Sequence, residues 1–236
     1  MNVSGRFSRL KEILVNSFQL LRKRPVLFVP KLFSTGFGAL WVLGLLEQVG
    51  SPFLYMASMP LIVFVGAFVS VMVAGMVREG EELSLRQGFW TTVHSIRQVL
   101  GATFLFLVLS LVIALPASLG YYLYLVDGAS LMLATGALLT LVLTFAVTFV
   151  FYFFPITLLE GGSVFEGYRE SRDTSVSNSA EVLSLTLFSF VLLAMAFFSQ
   201  GTLESLGYAG FVLGRLTSGL VTTYIFVVSP KYYLES

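Results

Sequence analysis

Ser163-Val164-Phe165-Glu166-Gly167-Tyr168 has a counterpart in Ser84-Leu85-Arg86-Gln87-Gly88-Phe89, and this pair of stretches decides how the chain is read. Both follow one pattern: Ser, apolar, any residue, Gln or Glu, Gly, aromatic. Ser followed three positions later by Gln or Glu is a capping box, in which each side chain satisfies an orphaned N–H at a helix start. Each stretch therefore opens a helix. Each also follows one long apolar run and precedes another, which makes the two stretches the hinges of an internal repeat.

Composition names the solvent of those runs. Of the 236 residues, 56% are hydrophobic and only 11% are charged, against about 25% charged in soluble domains. Mean hydropathy is +0.88, and apolar runs of about 20 residues are the length of membrane spans. The expectation is an all-α, polytopic helical bundle forming one membrane domain over residues 1–236. With no Cys and a lone His94, disulfides, thiolate nucleophiles and Cys or His metal clusters are excluded. No cleavable signal is expected, because the first apolar run is long, is interrupted by Lys31 and lacks a small-x-small exit.

Residues 4–22 set Phe7, Leu10, Leu14, Phe18 and Leu21 at helical spacing, opposite Arg9, Glu12, Asn16, Gln19 and Lys23. That pattern is an amphipathic helix suited to the membrane interface rather than to packing on a soluble core. Six spans are then expected, over residues 25–46, 52–77, 98–124, 129–159, 181–200 and 207–229. The capping boxes start second and third amphipathic helices, the second over about 84–97, ahead of the third and fifth spans. Of the 14 Lys and Arg, all but Lys31 and Arg215 lie on the side of the two termini, and the opposite connections carry only Glu47, Asp127 and Glu204. The positive-inside rule places both termini in the cytoplasm, and the expected location is the plasma membrane.

The repeat is threefold, over about 4–77, 84–159 and 163–229, each unit an amphipathic helix plus two spans. The odd spans open with Pro25-Val26-Leu27, Gln98-Val99-Leu100 and Glu181-Val182-Leu183, and the fourth and sixth close with Tyr152…Pro155…Glu160 and Tyr224…Pro230…Glu235. Repeats in membrane proteins often place a site between units. A helical hairpin is also simply easy to duplicate.

Candidate site residues come from polar groups inside spans. Gly66/Ser70/Ala74, Ser110/Ala114/Ser118 and Gly210/Gly214/Ser218 recur at steps of four and read first as close-packing faces. Gly136, Thr140, Thr144, Thr148 and Tyr152 form a longer stripe. Threonine bonds its own backbone in a helix, so the stripe needs no cavity; read functionally, it lines a polar path. Lys31 is close enough to the span start to snorkel. Arg215 is deeper, near the middle of the last span, and no Asp or Glu occurs inside any span. Its partner is therefore a loop carboxylate (Glu47, Asp127 or Glu204), backbone carbonyls, a lipid phosphate or an anionic ligand. Ser218, Thr222 and Ser229 extend its face.

No zinc-protease, nucleophile-elbow or P-loop motif is present, so no enzyme activity and no cofactor are expected. The basic residues sit beside spans, where anionic headgroups explain them without nucleic acid. Three features resemble the membrane domain that accompanies some glycerophosphodiester phosphodiesterases. They are Leu21-Arg22-Lys23-Arg24-Pro25, the Ser-x-x-Glu-Gly-Tyr box at Ser163 to Tyr168, and the proline-to-Glu160 exit of the fourth span. The resemblance implies a six-helix bundle without hydrolase activity. Mitochondrial carriers also have three two-span repeats, but their Pro-x-acid-x-x-base signature is missing after Pro30, Pro155 and Pro230.

The reading is a protein that binds or passes a small anionic solute or lipid. Arg215 and Lys31 supply cations and Thr140, Thr144, Thr148 and Tyr152 the lining. The alternative is a non-catalytic membrane scaffold or partner-binding subunit with a dry bundle. Membrane lipids are the expected partners, and no protein partner is legible.

Overall fold

A computed structural model describes residues 3–42, 52–79, 84–128 and 130–235, and among them every regular element is helical. The order is α1 (Val3–Lys23), a 3-10 turn (Pro25–Leu27), α2 (Phe28–Val42), α3 (Pro52–Arg78), α4 (Leu85–His94), α5 (Ile96–Asp127) and α6 (Ser130–Val150). It continues with α7 (Phe154–Glu160), α8 (Val164–Ser177), α9 (Ser179–Glu204) and α10 (Tyr208–Glu235). Among the described residues five segments are long and apolar enough to cross a membrane: Ala57–Arg78, Ile96–Asp127, Ser130–Glu160, Ser179–Glu204 and Tyr208–Glu235. The chain is a membrane-embedded helical protein. Of the expected first span, the described part is the turn plus α2; its end and the Glu47 connection lie outside the described residues, as do Glu81 and Glu82.

Both capping boxes start helices. At Ser84 the bonding is reciprocal: the hydroxyl accepts from the Gln87 N–H, and Gln87 Oε1 accepts from the Ser84 N–H at 2.9 Å. At Ser163 the hydroxyl accepts from the Glu166 N–H at 3.3 Å. The glycine of that box has its own role. A Cβ on Gly167 would stand 3.0 Å from the Leu158 Cα, so only glycine lets α8 lie this close on α7. The Gly167 carbonyl accepts from the Thr157 hydroxyl at 2.8 Å, and Tyr168 packs on Phe151 with ring centroids 5.1 Å apart.

The buried core lies at the end of the bundle that carries both termini, and α7 is its centre. Phe153, Phe154, Ile156, Thr157 and Leu158 are all buried. They face α3 (Val71, Ala74), the start of α5 (Val99, Ala102), α9 (Val182, Leu185) and the end of α10 (Val228, Tyr232). Half of the most apolar window of α3 is buried inside the protein, against 17% for each of α5 and Ser130–Glu160. The rest of those helices presents Leu, Val and Tyr outward to lipid.

One sequence expectation is corrected and two are refined. Firstly, residues 4–22 form the expected helix, α1, and one face of it packs on the bundle's own core. Leu10, Ile13, Ser17 and Leu21 are its buried face, whereas Phe18 is 62% exposed. Tyr224 of α10 pins it by donating to the Leu14 carbonyl at 3.0 Å. Secondly, the Ser110/Ala114/Ser118 face is exposed. The α5–α6 hairpin closes instead through Gly120 and Gly136, whose Cα atoms face each other so closely that a Cβ on either would enter the partner's backbone. Thirdly, the fourth span, Ser130–Glu160, holds a break in its helix, since α6 ends at Val150 and α7 begins at Phe154.

Candidate functional site

Pro155 causes that interruption. It has no N–H to donate, and its ring displaces the carbonyl one turn back. The Phe154 N–H bonds Phe151 O at 3.1 Å and the Ile156 N–H bonds Phe153 O at 3.0 Å, both in the tighter 3-10 pattern. The carbonyls of Val150 and Tyr152 are thereby left for other partners. The Ser171 hydroxyl of α8 donates to Val150 O at 2.8 Å, and the Ser229 hydroxyl of α10 donates to Tyr152 O. Non-helical backbone at membrane depth is tolerated where protein partners satisfy it, and it commonly borders a cavity.

A cavity is there. It has a volume of about 370 Å³ and is bordered by α3, α5, the α6–α7 break, α9 and α10. Its walls are mostly apolar, with Phe106, Phe151, Leu193 and Phe226 among them, and the hydroxyl residues Ser70, Thr148, Tyr152, Ser189 and Ser229 are interspersed. Among the described residues no charged side chain lines it. Ser70, Thr148 and Ser189 donate to carbonyls one turn back in their own helices, so their protons are committed and their lone pairs remain. Tyr152 differs. It is 7% exposed, and its hydroxyl is buried beside Ser189 without a hydrogen bond of good geometry. A buried unmet hydroxyl costs about 1–3 kcal/mol. Here the Ser189 hydroxyl is the polar group beside it, and a better-placed acceptor in the cavity would compete for its proton.

The other sequence candidates fall into different roles. Thr140 does not line the cavity. Its hydroxyl is inserted into the α5 ladder beside Pro116, donating to Ile113 O and accepting from the Ala117 N–H, both at 3.1 Å. Thr144 donates to Thr140 O within its own helix at 2.7 Å. The stripe thus divides: Thr148 and Tyr152 reach the cavity, while Thr140 and Thr144 serve the backbone. Lys31 lies on α2 with its ammonium 4.8 Å from the ring centre of Phe226, one of the cavity walls, but does not itself line the cavity.

Arg215 is elsewhere. It lines a groove of about 260 Å³ between α2 and α10 that shares no residue with the central cavity. Its partner is Glu204, with Nη2 to Oε1 at 3.8 Å, and it lies 5.0 Å from the Phe211 ring centre. Of the loop carboxylates offered by the sequence, Glu204 is brought to it and Glu47 lies outside the described residues. Ser229, which shares its helix, faces the α6–α7 break.

The sequence reading missed the break, and with it Ser171, Ser189 and the true role of Ser229. The available signal was Pro155 itself, only a few residues past a tyrosine inside an apolar run. Among the described residues no three His, Asp or Glu side chains gather in a way that would hold a metal. Comparison with known proteins gives no match to a family model, to a curated protein or to a solved structure.

Proposed function

We propose that this chain is an integral membrane protein that binds, and passes between environments, a lipid-like amphiphile seated in the central cavity. The observation that carries the reading is the Tyr152 hydroxyl, buried at a helix break in the cavity wall with only the Ser189 hydroxyl beside it and no hydrogen bond of good geometry. A ligand carbonyl or hydroxyl oxygen would meet it, and an alkyl chain would run along Phe106, Phe151 and Leu193. The uncharged lining favours this lipid over a small anionic solute, which would enter without a counter-charge. The proposal also includes both termini on the cytoplasmic side of a plasma membrane, six spans in three related units, and α1, α4 and α8 lying at the headgroup level. The rival reading, a dry scaffold or partner-binding subunit, is favoured by the Arg215–Glu204 pair, which gives that cation a partner within the protein.

Native mass spectrometry of the purified protein tests the choice. The expected result is one retained species of lipid mass in the wild type, lost in Tyr152→Phe while the melting temperature in detergent stays within a few degrees. Equal occupancy in both proteins, or no retained species in either, would put the scaffold in front.

A further inference from the structure

We propose that the groove between α2 and α10 is a second binding site, which takes an anionic phospholipid with its phosphate on Arg215 and an acyl chain along Leu32, Ala39 and Val212. Arg215 lies two turns into α10 from Tyr208, roughly 10 Å along the helix at 1.5 Å per residue. That end of α10 is opposite the one bearing the termini. A guanidinium has five N–H donors, and among the described residues this one makes no hydrogen bond. Its Nε is buried and unpartnered. Its polar contact among the described residues, Glu204, is beyond hydrogen-bond reach at 3.8 Å, and the Oε1 it faces already accepts from Gln200 Nε2 at 2.8 Å. The carboxylate therefore offsets the charge at long range and leaves the donors unmet, in a side chain still 32% exposed.

The rest of the groove matches the other half of such a lipid. Its walls are almost wholly apolar and open outward, with Leu40, Val212 and Leu216 exposed. Gly36, which also lines the groove, is exposed, and an added Cβ there would meet nothing within 4 Å, so this side of the groove is open. An apolar trough with one unsatisfied guanidinium is complementary to an acyl chain attached to a phosphate, and Arg is the cation whose planar fork suits phosphate oxygens. This site stands apart from the central cavity, and either proposal can fail without the other.

The test is native mass spectrometry of delipidated protein titrated with phosphatidylglycerol or with diacylglycerol of the same chains. Wild type is expected to retain phosphatidylglycerol in preference to diacylglycerol. Arg215→Gln is expected to lower phosphatidylglycerol retention at least tenfold and leave diacylglycerol unchanged, with Arg215→Lys intermediate. Glu204→Gln, which removes the competing carboxylate, should equal or exceed wild type. Gly36→Leu fills the trough without touching a charge and should lower retention several-fold. Phosphatidylglycerol retention unchanged in Arg215→Gln or in Gly36→Leu would overturn the proposal. So would an equal loss in Glu204→Gln, which would make the pair a structural clamp, or Arg215-dependent binding of inorganic phosphate in place of the lipid.

Discussion

Ser171 and Ser229 satisfy the two carbonyls that the α6–α7 break sets free, while Tyr152 in the same break keeps a hydroxyl to spare. That contrast separates fold from function at the level of single atoms. Removing either serine leaves a carbonyl unmet inside the protein, so Ser171→Ala and Ser229→Ala should each destabilise by about 1–3 kcal/mol. Thermal unfolding in detergent reads this directly, and wild-type melting in both variants would mean that the break is not held by these bonds. The threonine stripe shows how far residues could be read in advance. Thr144 and Thr148 bond their own helix as threonine chemistry dictates. Thr140 does not, because its target is created by Pro116 on another helix, and no helical period encodes that meeting. Arg215 was legible as a charge needing a partner. Which carboxylate would reach it depended on the α9–α10 turn, where Gly207 adopts a φ of 78°.

Among the elements, apolar run length was sufficient to find most of the long helices, and the capping boxes located the starts of α4 and α8. What the boxes did not reveal is why they carry glycine. In α8 the answer is contact with α7, since a Cβ at Gly167 would be crowded to 3.0 Å from the Leu158 Cα. Ser84→Ala should therefore cost about 1 kcal/mol, the loss of one N-cap. Gly167→Ala should cost more, about 1–3 kcal/mol, because overpacking forces backbones apart. Melting curves of the two variants compare them, and an equal or smaller loss for Gly167→Ala would contradict the close α7–α8 packing. The interruption of the fourth span was hidden for a physical reason. Pro is common enough in membrane helices to be read as a kink, and α10 indeed continues through Pro230. The difference at Pro155 is that Ser171 and Ser229 arrive from two other helices to stabilise an opened turn.

For the whole molecule, the decisive feature is asymmetry. The core gathers at one end around α7, and the helices beyond it expose their apolar faces to lipid. The lopsided distribution of Lys and Arg gives that end an expected side of the membrane. Because the chain has no cysteine, single cysteines are clean reporters. Those replacing Ser130 or Thr202 should label from outside intact cells, and those replacing Lys11 or Arg172 only after permeabilisation; the reverse pattern would invert the topology. The central claim is that the cavity beside the α6–α7 break holds an amphiphile on Tyr152. The most direct measurement is a cryo-electron microscopy map of the protein in lipid nanodiscs, enlarged by a bound antibody fragment. The account predicts elongated density between Phe106, Phe151 and Leu193 with a polar end within hydrogen-bond distance of the Tyr152 hydroxyl. A collapsed, empty space in which Tyr152 bonds Ser189 would contradict it.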